Sequence, residues 1–175
     1  MARFCFSGPQ LFLGYLGDPA ATAQALTKDG VLYTGDLGSC DANGLKLAGR
    51  SKLTIKPKGF QVFPGDVENH VVAALAGRAH AAACLGVEHA IWSEAIVLFV
   101  ERAEGAELSA EEVLAASAGM ASYARPSHVE VLAPGTLPLN RVAKTDYVAL
   151  REQAKALVER LRAEGKWDMK GSARA

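Results

Sequence analysis

The sequence lacks an excess of charge of one sign, and it lacks a long uncharged hydrophobic run. Lysine and arginine total 19, aspartate and glutamate also total 19, and the formal net charge at pH 7 is zero. This balance argues against binding to nucleic acid or to an anionic membrane through bulk charge. No stretch approaches the ~20 apolar residues of a membrane span, and the N-terminal residues lack the apolar core of a signal peptide. We therefore expect a soluble, cytoplasmic protein that binds neither nucleic acid nor membrane.

Cysteine is also scarce, which bears on disulfides and on metal binding. The three cysteines, Cys5, Cys40 and Cys84, are widely spaced and form no CxxC motif. Such spacing is typical of free thiols in a reducing cytosol. The four histidines share no metal-ligand spacing with these cysteines, so we expect no metal site.

The chain contains two regions of different character. Residues 1–51 have many glycines and turn dipeptides between short apolar runs, which predicts a β-rich segment with little core of its own. Residues 52–163 combine apolar runs of strand length with helical periodicity, and they include a capping box at Ser109 and Glu112. Their order, hairpin, helix, strand, strand, helix, strand, helix, predicts an α+β domain with a small antiparallel or mixed sheet flanked by helices. Residues 164–175 have no periodicity and are expected to fray.

Two residues near the end of the first region are candidates for binding a ribose. Asp36 ends the motif YTGD after a predicted strand, where its carboxylate could accept two hydrogen bonds from a diol. It could equally cap a turn, and four residues alone favour that simpler interpretation. Arg50 could donate to the same ribose or to a phosphate. Taken singly, Arg50 and the nearby Lys52 are ordinary surface cations.

Two further motifs carry lysines. The stretch IKPKGFQV (55–62) predicts a basic hairpin with Gly59 at its tip, where glycine permits a positive φ and close approach of a ligand. The stretch LPLNRVAK (137–144) predicts a polar loop that ends at Lys144, just before a helix. A cation at a helix N-terminus is slightly unfavourable, so Lys144 is a candidate for presenting charge to a phosphate or carboxylate. The simpler alternative in both places is a turn with solvated lysines.

Taken together, the motifs resemble those of the ANL superfamily of adenylate-forming enzymes in their order and spacing. That superfamily includes acyl- and aryl-CoA synthetases, nonribosomal peptide adenylation domains and firefly-type luciferases. The resemblance covers roughly residues 8 to 162. The matching stretches are GYLGDPAATAQAL (14–26), YTGDLG (33–38), GRSKLTIKPKGFQVFPGDVE (49–68), GVEHAIWSEAIVLFV (86–100) and LPLNRVAK (137–144).

The resemblance implies a domain assignment and a role for several residues. Residues 1–51 would be the tail end of a large N-terminal adenylation domain, and residues 52–163 the C-terminal lid domain. Asp36 and Arg50 match residues that hold the ribose of ATP or of the acyl-adenylate, and Lys52 matches the hinge between the two domains. Lys144 matches the lysine that enters the active site for adenylation.

The resemblance also implies that the lid has a second working face. After a large rotation of the lid, the hairpin would face the site for thioester formation, with its glycine lining the pantetheine tunnel. The matching residues of that hairpin are Lys56, Lys58, Gly59 and Phe60.

Two positions depart from the family pattern. Ala143 stands where the family usually has glycine, immediately before the lysine that matches Lys144. Leu53 stands in the hinge segment where the family often carries an acidic residue.

The function that the resemblance implies is that of an ATP-dependent, AMP-forming carboxylate–CoA ligase. Such an enzyme uses ATP, Mg²⁺ and CoA to activate a small-molecule carboxylic acid and convert it into a thioester. These 175 residues contain neither the family's phosphate loop nor its adenine motif, and no G-x-x-x-x-G-K-[ST] either. We therefore expect the chain alone to be inactive, to bind no cofactor, and to need a missing N-terminal adenylation domain or subunit.

A second hypothesis is that the chain is a non-catalytic, stand-alone lid or binding module that acts with a separate subunit. Under either hypothesis, apolar residues in the first region would lie uncovered in the absence of the parent domain, among them Leu11, Phe12, Leu13 and Tyr15. Such exposure predicts self-association or a partner. Neither hypothesis specifies the acyl substrate.

Overall fold

A computed structural model describes residues 1–168, which divide into one compact unit over Met1–Leu53 and a second that begins at Thr54. No helix within those described residues is both long and apolar enough to cross a bilayer. The domain boundary predicted between residues 51 and 52, with Lys52 as the hinge, stays a prediction.

The first unit is a three-stranded antiparallel sheet with one short helix. Its elements are β1 (Ala2–Ser7), α1 (Pro19–Ala25), β2 (Val31–Asp41), β3 (Gly44–Arg50) and a 3₁₀ turn (Ser51–Leu53), and the strand order is β1-β2-β3. Asp18 caps α1 by accepting a hydrogen bond from the Ala21 backbone at 2.8 Å, and Pro19 suits the first helical position. Strand β1 has no counterpart among the sequence-based predictions, because nearly all its side chains are exposed and leave no alternating pattern.

The second unit is the predicted α+β domain with a small mixed sheet, so the fold class is confirmed. Strands β4 and β5 pair antiparallel, β5 and β6 pair parallel, and the order is β4-β5-β6. In chain order the elements are a 3₁₀ turn (Pro57–Gly59), α2 (Pro64–Ala74), β4 (Ala79–His89), β5 (Ser93–Arg102), α3 (Ala110–Ala116), a second 3₁₀ turn (Ser122–Ala124), β6 (His128–Leu132) and α4 (Tyr147–Ala163). The predicted capping box is present at the start of α3.

The hairpin predicted near residues 53–63 is reduced to a single antiparallel bridge between Ile55 and Val62. The segment between them cannot continue as paired strands, because Pro57 begins a 3₁₀ turn and the two residues after it have positive φ. A ladder would need a backbone N–H donor and extended dihedral angles at those positions. The motif therefore forms a compact loop, and the name hairpin loop is used below for residues 56–60.

Strand β5 is buried on both faces, and two separate apolar layers cover it. One layer contains α2, α3 and the base of the hairpin loop, and the other contains α4 and the segment that leads to it. Alternate residues of β5 serve the two layers: Ile96, Leu98 and Val100 face the first, and Val97 and Phe99 face the second. This arrangement explains why the strand reads as a continuous apolar run in the sequence.

The hairpin loop and the segment that carries Lys144 belong to opposite layers of this sheet. Ile55 and Val62, which flank the hairpin loop, pack in the layer with α2 and α3. Leu137 and Leu150, which flank Lys144, pack in the layer with α4.

The expectation of a frayed tail is wrong for residues 164–168. Trp167 is 1% exposed and packs in the α4 layer, and its indole Nε1 donates to the Glu88 carbonyl at 3.0 Å. The Asp168 carboxylate pairs with Arg162 at 3.0 Å. A single large side chain anchors this segment, and one residue leaves no periodic signal in a sequence. The remainder of the predicted tail, residues 169–175, lies outside the described residues.

Replacing Trp167 with alanine tests this anchoring. We expect Trp167→Ala to lower the free energy of unfolding by about 3 kcal/mol, because a large buried side chain is removed together with its hydrogen bond. Urea denaturation measures the change, with Lys166→Ala as the exposed neighbouring control. Equal stability of the two variants would mean that the segment frays after all.

Candidate functional site

Asp36 and Arg50 lie directly opposite each other on β2 and β3. The Nε atom of Arg50 is 2.9 Å from Oδ1 of Asp36, and its Nη1 donates to the Thr34 carbonyl at 3.3 Å. Because the Arg50 side chain is 64% exposed, such a surface ion pair contributes about 0–1 kcal/mol to stability. The pair therefore contributes little to the stability of the fold. Together the two side chains place carboxylate acceptors and guanidinium donors at one point on the surface.

Asp36 does not end a strand, which corrects the expectation from the YTGD motif. Strand β2 continues to Asp41, with Gly35 at φ 79° and a shift in register between Leu37 and Gly38. These two irregularities bend the strand on either side of Asp36. The side chain is therefore displayed by a bulged strand rather than by a turn.

A cavity of about 500 Å³ lies beside this pair, entirely within residues 1–53. Its lining includes Arg3 and Lys52 together with Arg50, whose charge is paired with the adjacent Asp36 carboxylate. Such a concavity favours an anionic ligand. Arg3 was missed by sequence reasoning, because a lone arginine on an exposed strand carries no local signal. The hinge role of Lys52, which lies exposed in the Ser51–Leu53 turn, stays a prediction.

The four predicted residues of the hairpin loop lie together on an exposed surface. Lys58 has φ 49°, its backbone N–H donates to the Trp92 carbonyl at 2.7 Å, and its Nζ lies 3.6 Å from the centroid of the Trp92 ring. The backbone N–H of Lys56 donates to the Glu94 carboxylate at 2.5 Å. These contacts fix the loop from the start of β5, within the motif GVEHAIWSEAIVLFV.

The other half of the hairpin loop offers an open, aromatic surface. Gly59 has φ 84°, and apart from Lys58 and Phe60 no described residue has an atom within 4 Å of the position a Cβ would take. Phe60 is half exposed and stacks on Tyr123, with ring centroids 4.3 Å apart and an angle of 10° between the planes. Tyr123 was missed, because no motif in the sequence marks it.

The backbone around Lys144 is held by Asn140. The side-chain oxygen of Asn140 accepts from the backbone N–H groups of Val142 at 3.0 Å and Lys144 at 3.1 Å. The backbone N–H of Asn140 in turn donates to the Lys144 carbonyl at 2.7 Å. The Lys144 side chain is exposed, so a fixed backbone carries a cation that projects into solvent.

Two carboxylates anchor the two ends of this segment. The buried Glu101 accepts from the Leu137 backbone at 2.8 Å. At the other end, Oε1 of Glu68 accepts from the Tyr147 hydroxyl at 3.3 Å and from the Cys84 backbone at 2.8 Å. Burial raises the pKa of the Glu68 carboxyl above its ordinary value, and burial together with the Glu68 charge raises the pKa of the Tyr147 hydroxyl. Sequence reasoning singled out neither carboxylate, since each acts through partners distant in the chain.

The described residues offer no cluster of three or more histidine, cysteine or acidic side chains arranged to hold a metal ion. All three cysteines are free thiols, and Cys84 is buried.

Comparison with known proteins identifies the class to which this geometry belongs. No family model matches the chain. It is 39% identical over 114 residues to 4-coumarate–CoA ligase 1 of Arabidopsis thaliana, which is 63% of this chain and 20% of that protein. It is 34% identical over 158 residues to the long-chain-fatty-acid–CoA ligase of Salmonella typhimurium, which is 90% of this chain and 27% of that protein.

Solved structures agree with these relatives. The ATP-bound MatB from Rhodopseudomonas palustris superposes with a TM-score of 0.76 at 31% identity, covering 86% of this chain and 30% of that chain. The o-succinylbenzoate–CoA synthetase of Bacillus subtilis, in complex with an acyl-adenylate intermediate, gives 0.73 at 26% identity over 87% of this chain and 30% of its own. The chain belongs to the ANL superfamily of adenylate-forming enzymes and corresponds to the C-terminal portion of its CoA ligases. It spans 20% and 27% of the two curated relatives named above.

Ala143 shows why glycine is usual at its position in the family. Its φ is 55°, in the left-handed region, which costs an L-amino acid about 1–2 kcal/mol relative to glycine. The Asn140 turn imposes this conformation, since the Ala143 backbone N–H donates to the Asn140 carbonyl at 3.0 Å.

We expect Ala143→Gly to raise the free energy of unfolding by about 0.5–1 kcal/mol. Relief of the left-handed strain exceeds the entropy that glycine adds to the unfolded chain. Ala156→Gly, at an exposed position inside α4, is the matched control and should lower the stability by a similar amount. Urea denaturation of both variants measures the change in the free energy of unfolding. A lower stability of Ala143→Gly would show that Ala143 is not strained.

Glu68→Gln tests the anchor behind Tyr147. Because the Glu68 pKa is raised in the folded protein above its ordinary value of 4.5, the folded state binds more protons there than the unfolded state does. The wild-type protein therefore loses stability from this group as the pH rises above 4.5. Glutamine keeps an oxygen that can accept both hydrogen bonds but does not titrate.

We accordingly expect the stability of Glu68→Gln, relative to wild type, to increase as the pH rises from about 4 to 7. Urea unfolding at several pH values measures the difference, with Glu159→Gln on the exposed surface of α4 as the control. A difference that stays constant or falls with pH would rule out a desolvated carboxylate.

Proposed function

We propose that the chain is the C-terminal portion of an AMP-forming carboxylate–CoA ligase, in which residues 1–51 complete the nucleotide site and residues 52–163 form a rotating lid. The observation that carries this proposal is that Lys144 and the hairpin loop belong to opposite layers of one sheet. A lid that turns about Lys52 would present one layer for adenylation and the other for thioester formation. ATP, Mg²⁺, CoA and a small carboxylic acid would bind with a large adenylation domain that lies outside these residues.

Lys144 would act in the first step. A carboxylate oxygen attacks the α-phosphorus of ATP, an O–P bond forms, and the bond from the α-phosphorus to the bridging oxygen breaks as pyrophosphate leaves. Two anionic groups meet in that transition state, so a preorganised ammonium group stabilises it. The Asn140 turn holds the Lys144 backbone in place and leaves the side chain free to reach a ligand.

Asp36 and Arg50 would hold the nucleoside. The Asp36 carboxylate accepts hydrogen bonds from the ribose hydroxyls, while Arg50 fixes it at 2.9 Å and adds donors of its own. The neighbouring cavity, lined by Arg3, Arg50 and Lys52, suits the negative charge of the nucleotide.

The hairpin loop would act in the second step, when the CoA thiol attacks the acyl-adenylate and AMP leaves. The space above Gly59 admits an extended chain such as pantetheine. Phe60 and Tyr123 provide an apolar wall, and Lys56 and Lys58 attract the anionic CoA.

A second candidate function is a non-catalytic lid that docks on a separate subunit. Leu13 and Leu16 are fully exposed and Tyr15 is half exposed, which favours a covering partner or self-association. Leu11 and Phe12, also expected to be uncovered, are partly buried, so the exposed apolar surface is smaller than the sequence predicts. An adjacent or continuous reading frame that encodes the phosphate loop would favour the ligase.

Two substitutions separate the two half-reactions. In a ligase that joins these residues to a complete adenylation domain, Lys144→Ala should slow adenylation by about 10²–10³-fold and spare thioester formation from a supplied acyl-adenylate. Gly59→Trp should do the reverse, because the indole ring would fill the path of pantetheine. Pyrophosphate exchange measures the first step and acyl-CoA formation the second.

Matched controls exist for both variants. Lys155→Ala removes an exposed lysine from α4, and Gly105→Trp places the same ring at another open glycine with φ 74°. If Lys144→Ala and Gly59→Trp each slowed adenylation and thioester formation equally, the assignment of one step to each layer would be refuted. We also expect no pyrophosphate exchange from the 175-residue chain alone, and robust exchange would overturn the need for the adenylation domain.

A further inference from the structure

A buried histidine joins the turn before β5 to the C-terminal segment. His89, the last residue of β4, is 1% exposed. Its Nδ1 accepts hydrogen bonds from the backbone N–H groups of Ile91 at 3.1 Å and Trp92 at 3.2 Å. That nitrogen is therefore unprotonated, and the ring proton sits on Nε2, which donates to the Trp167 carbonyl at 3.0 Å.

The C-terminal segment holds the histidine from both sides. The Trp167 indole donates to the Glu88 carbonyl at 3.0 Å, and its ring meets the His89 imidazole edge to face at 5.4 Å. Oδ1 of Asp168 accepts from the Ala90 backbone at 3.0 Å. Residues 88 to 90 are thus bound on each side of His89 by groups some 80 positions further along the chain.

The same turn supports the hairpin loop through Trp92. The Trp92 carbonyl accepts from the Lys58 backbone at 2.7 Å, and the Trp92 ring lies under the Lys58 ammonium group. The Trp92 indole N–H is buried and has no hydrogen-bond partner among residues 1–168. The indole N–H thus does not hold the ring, whereas the backbone of residues 91 and 92 is held by the two hydrogen bonds to His89. Lys58, with its positive φ, takes its support from that turn.

We propose that His89 is a positioning residue for the hairpin loop: with Trp167 it sets the turn at Trp92, and through Trp92 it holds Lys58 and Gly59 in place. The importance of this for catalysis rests on the proposed function of the hairpin loop in thioester formation. The positional linkage itself does not rest on it, and the two can be tested separately.

Amide hydrogen exchange of the 175-residue chain, followed by NMR, tests the linkage. In His89→Ala we expect the Lys58 amide to exchange about tenfold faster, while the amides of Val97 and Leu98 in β5 keep their rates. The control is His80→Ala, an exposed histidine at the other end of β4, which should leave Lys58 unchanged. Unchanged exchange at Lys58, or an equal increase at all three amides, would overturn the proposal.

Two further variants keep the test decisive if His89→Ala folds poorly. His89→Asn offers an oxygen near the place of Nδ1, so it should restore most of the Lys58 protection. Asp168→Ala loosens the segment from the surface without emptying the core and should speed Lys58 exchange about threefold. Failure of both expectations would count against His89 as the positioning group.

Activity then separates the two proposals. In a ligase that contains these residues, His89→Ala should lower kcat/KM for CoA about tenfold and leave the rate of adenylation unchanged. A selective change in Lys58 exchange without any change in the CoA step would uphold the positional role and refute the function proposed for the hairpin loop.

Discussion

The burial of β5 on both faces is the constraint on which the second unit depends. Ser93–Arg102 lies between β4 and β6 and presents alternate side chains to two different layers. Because both faces must be covered, the chain has to place α2 and α3 on one side and α4 on the other. The sheet thereby separates the hairpin loop from the segment that carries Lys144.

Polar groups away from the loop tips hold the backbone of the Lys144 segment and of the hairpin loop. The Lys144 segment is held by its own Asn140 and by the carboxylates Glu101 and Glu68, while the hairpin loop is held by the turn at Trp92. Of these acceptors Glu101 is buried and Glu68 is half-buried, and such groups are costly to leave unpaired. They therefore hold the backbone of the Lys144 segment at both ends, while the side chains at the loop tips stay exposed.

Both tips contain a non-glycine residue in the left-handed region, Lys58 in one and Ala143 in the other. Such conformations persist where the surroundings impose them, and they are frequent at functional sites. In the hairpin loop the surroundings are Trp92 and Glu94, and in the other loop they are the Asn140 turn. The departure from glycine at Ala143 thus has a cost in stability and leaves the turn geometry in place.

Local chemistry was sufficient to predict much of this protein. Periodicity and the capping box located the helices and the three strands of the second unit, because each signal lies within a few consecutive residues. The motifs identified the family and its candidate residues for the same reason. The turn at Pro57 and the bulged course of β2 at Asp36 were mispredicted, since proline and glycine permit several local geometries and only the neighbouring strands select one.

What the sequence by itself determined is the helices and strands of the second unit and the identity of the chemical groups. Only the tertiary structure decided that Asp36 meets Arg50, that the loops of Lys144 and Gly59 belong to opposite layers, and that Trp167 anchors the chain end. The first depends on the register of two paired strands, and the other two depend on packing between residues far apart in the chain, so no short stretch encodes them. His89 is the clearest case, because an unremarkable histidine in the sequence becomes a buried junction of three segments once the strand, the turn and the C-terminal residues come together.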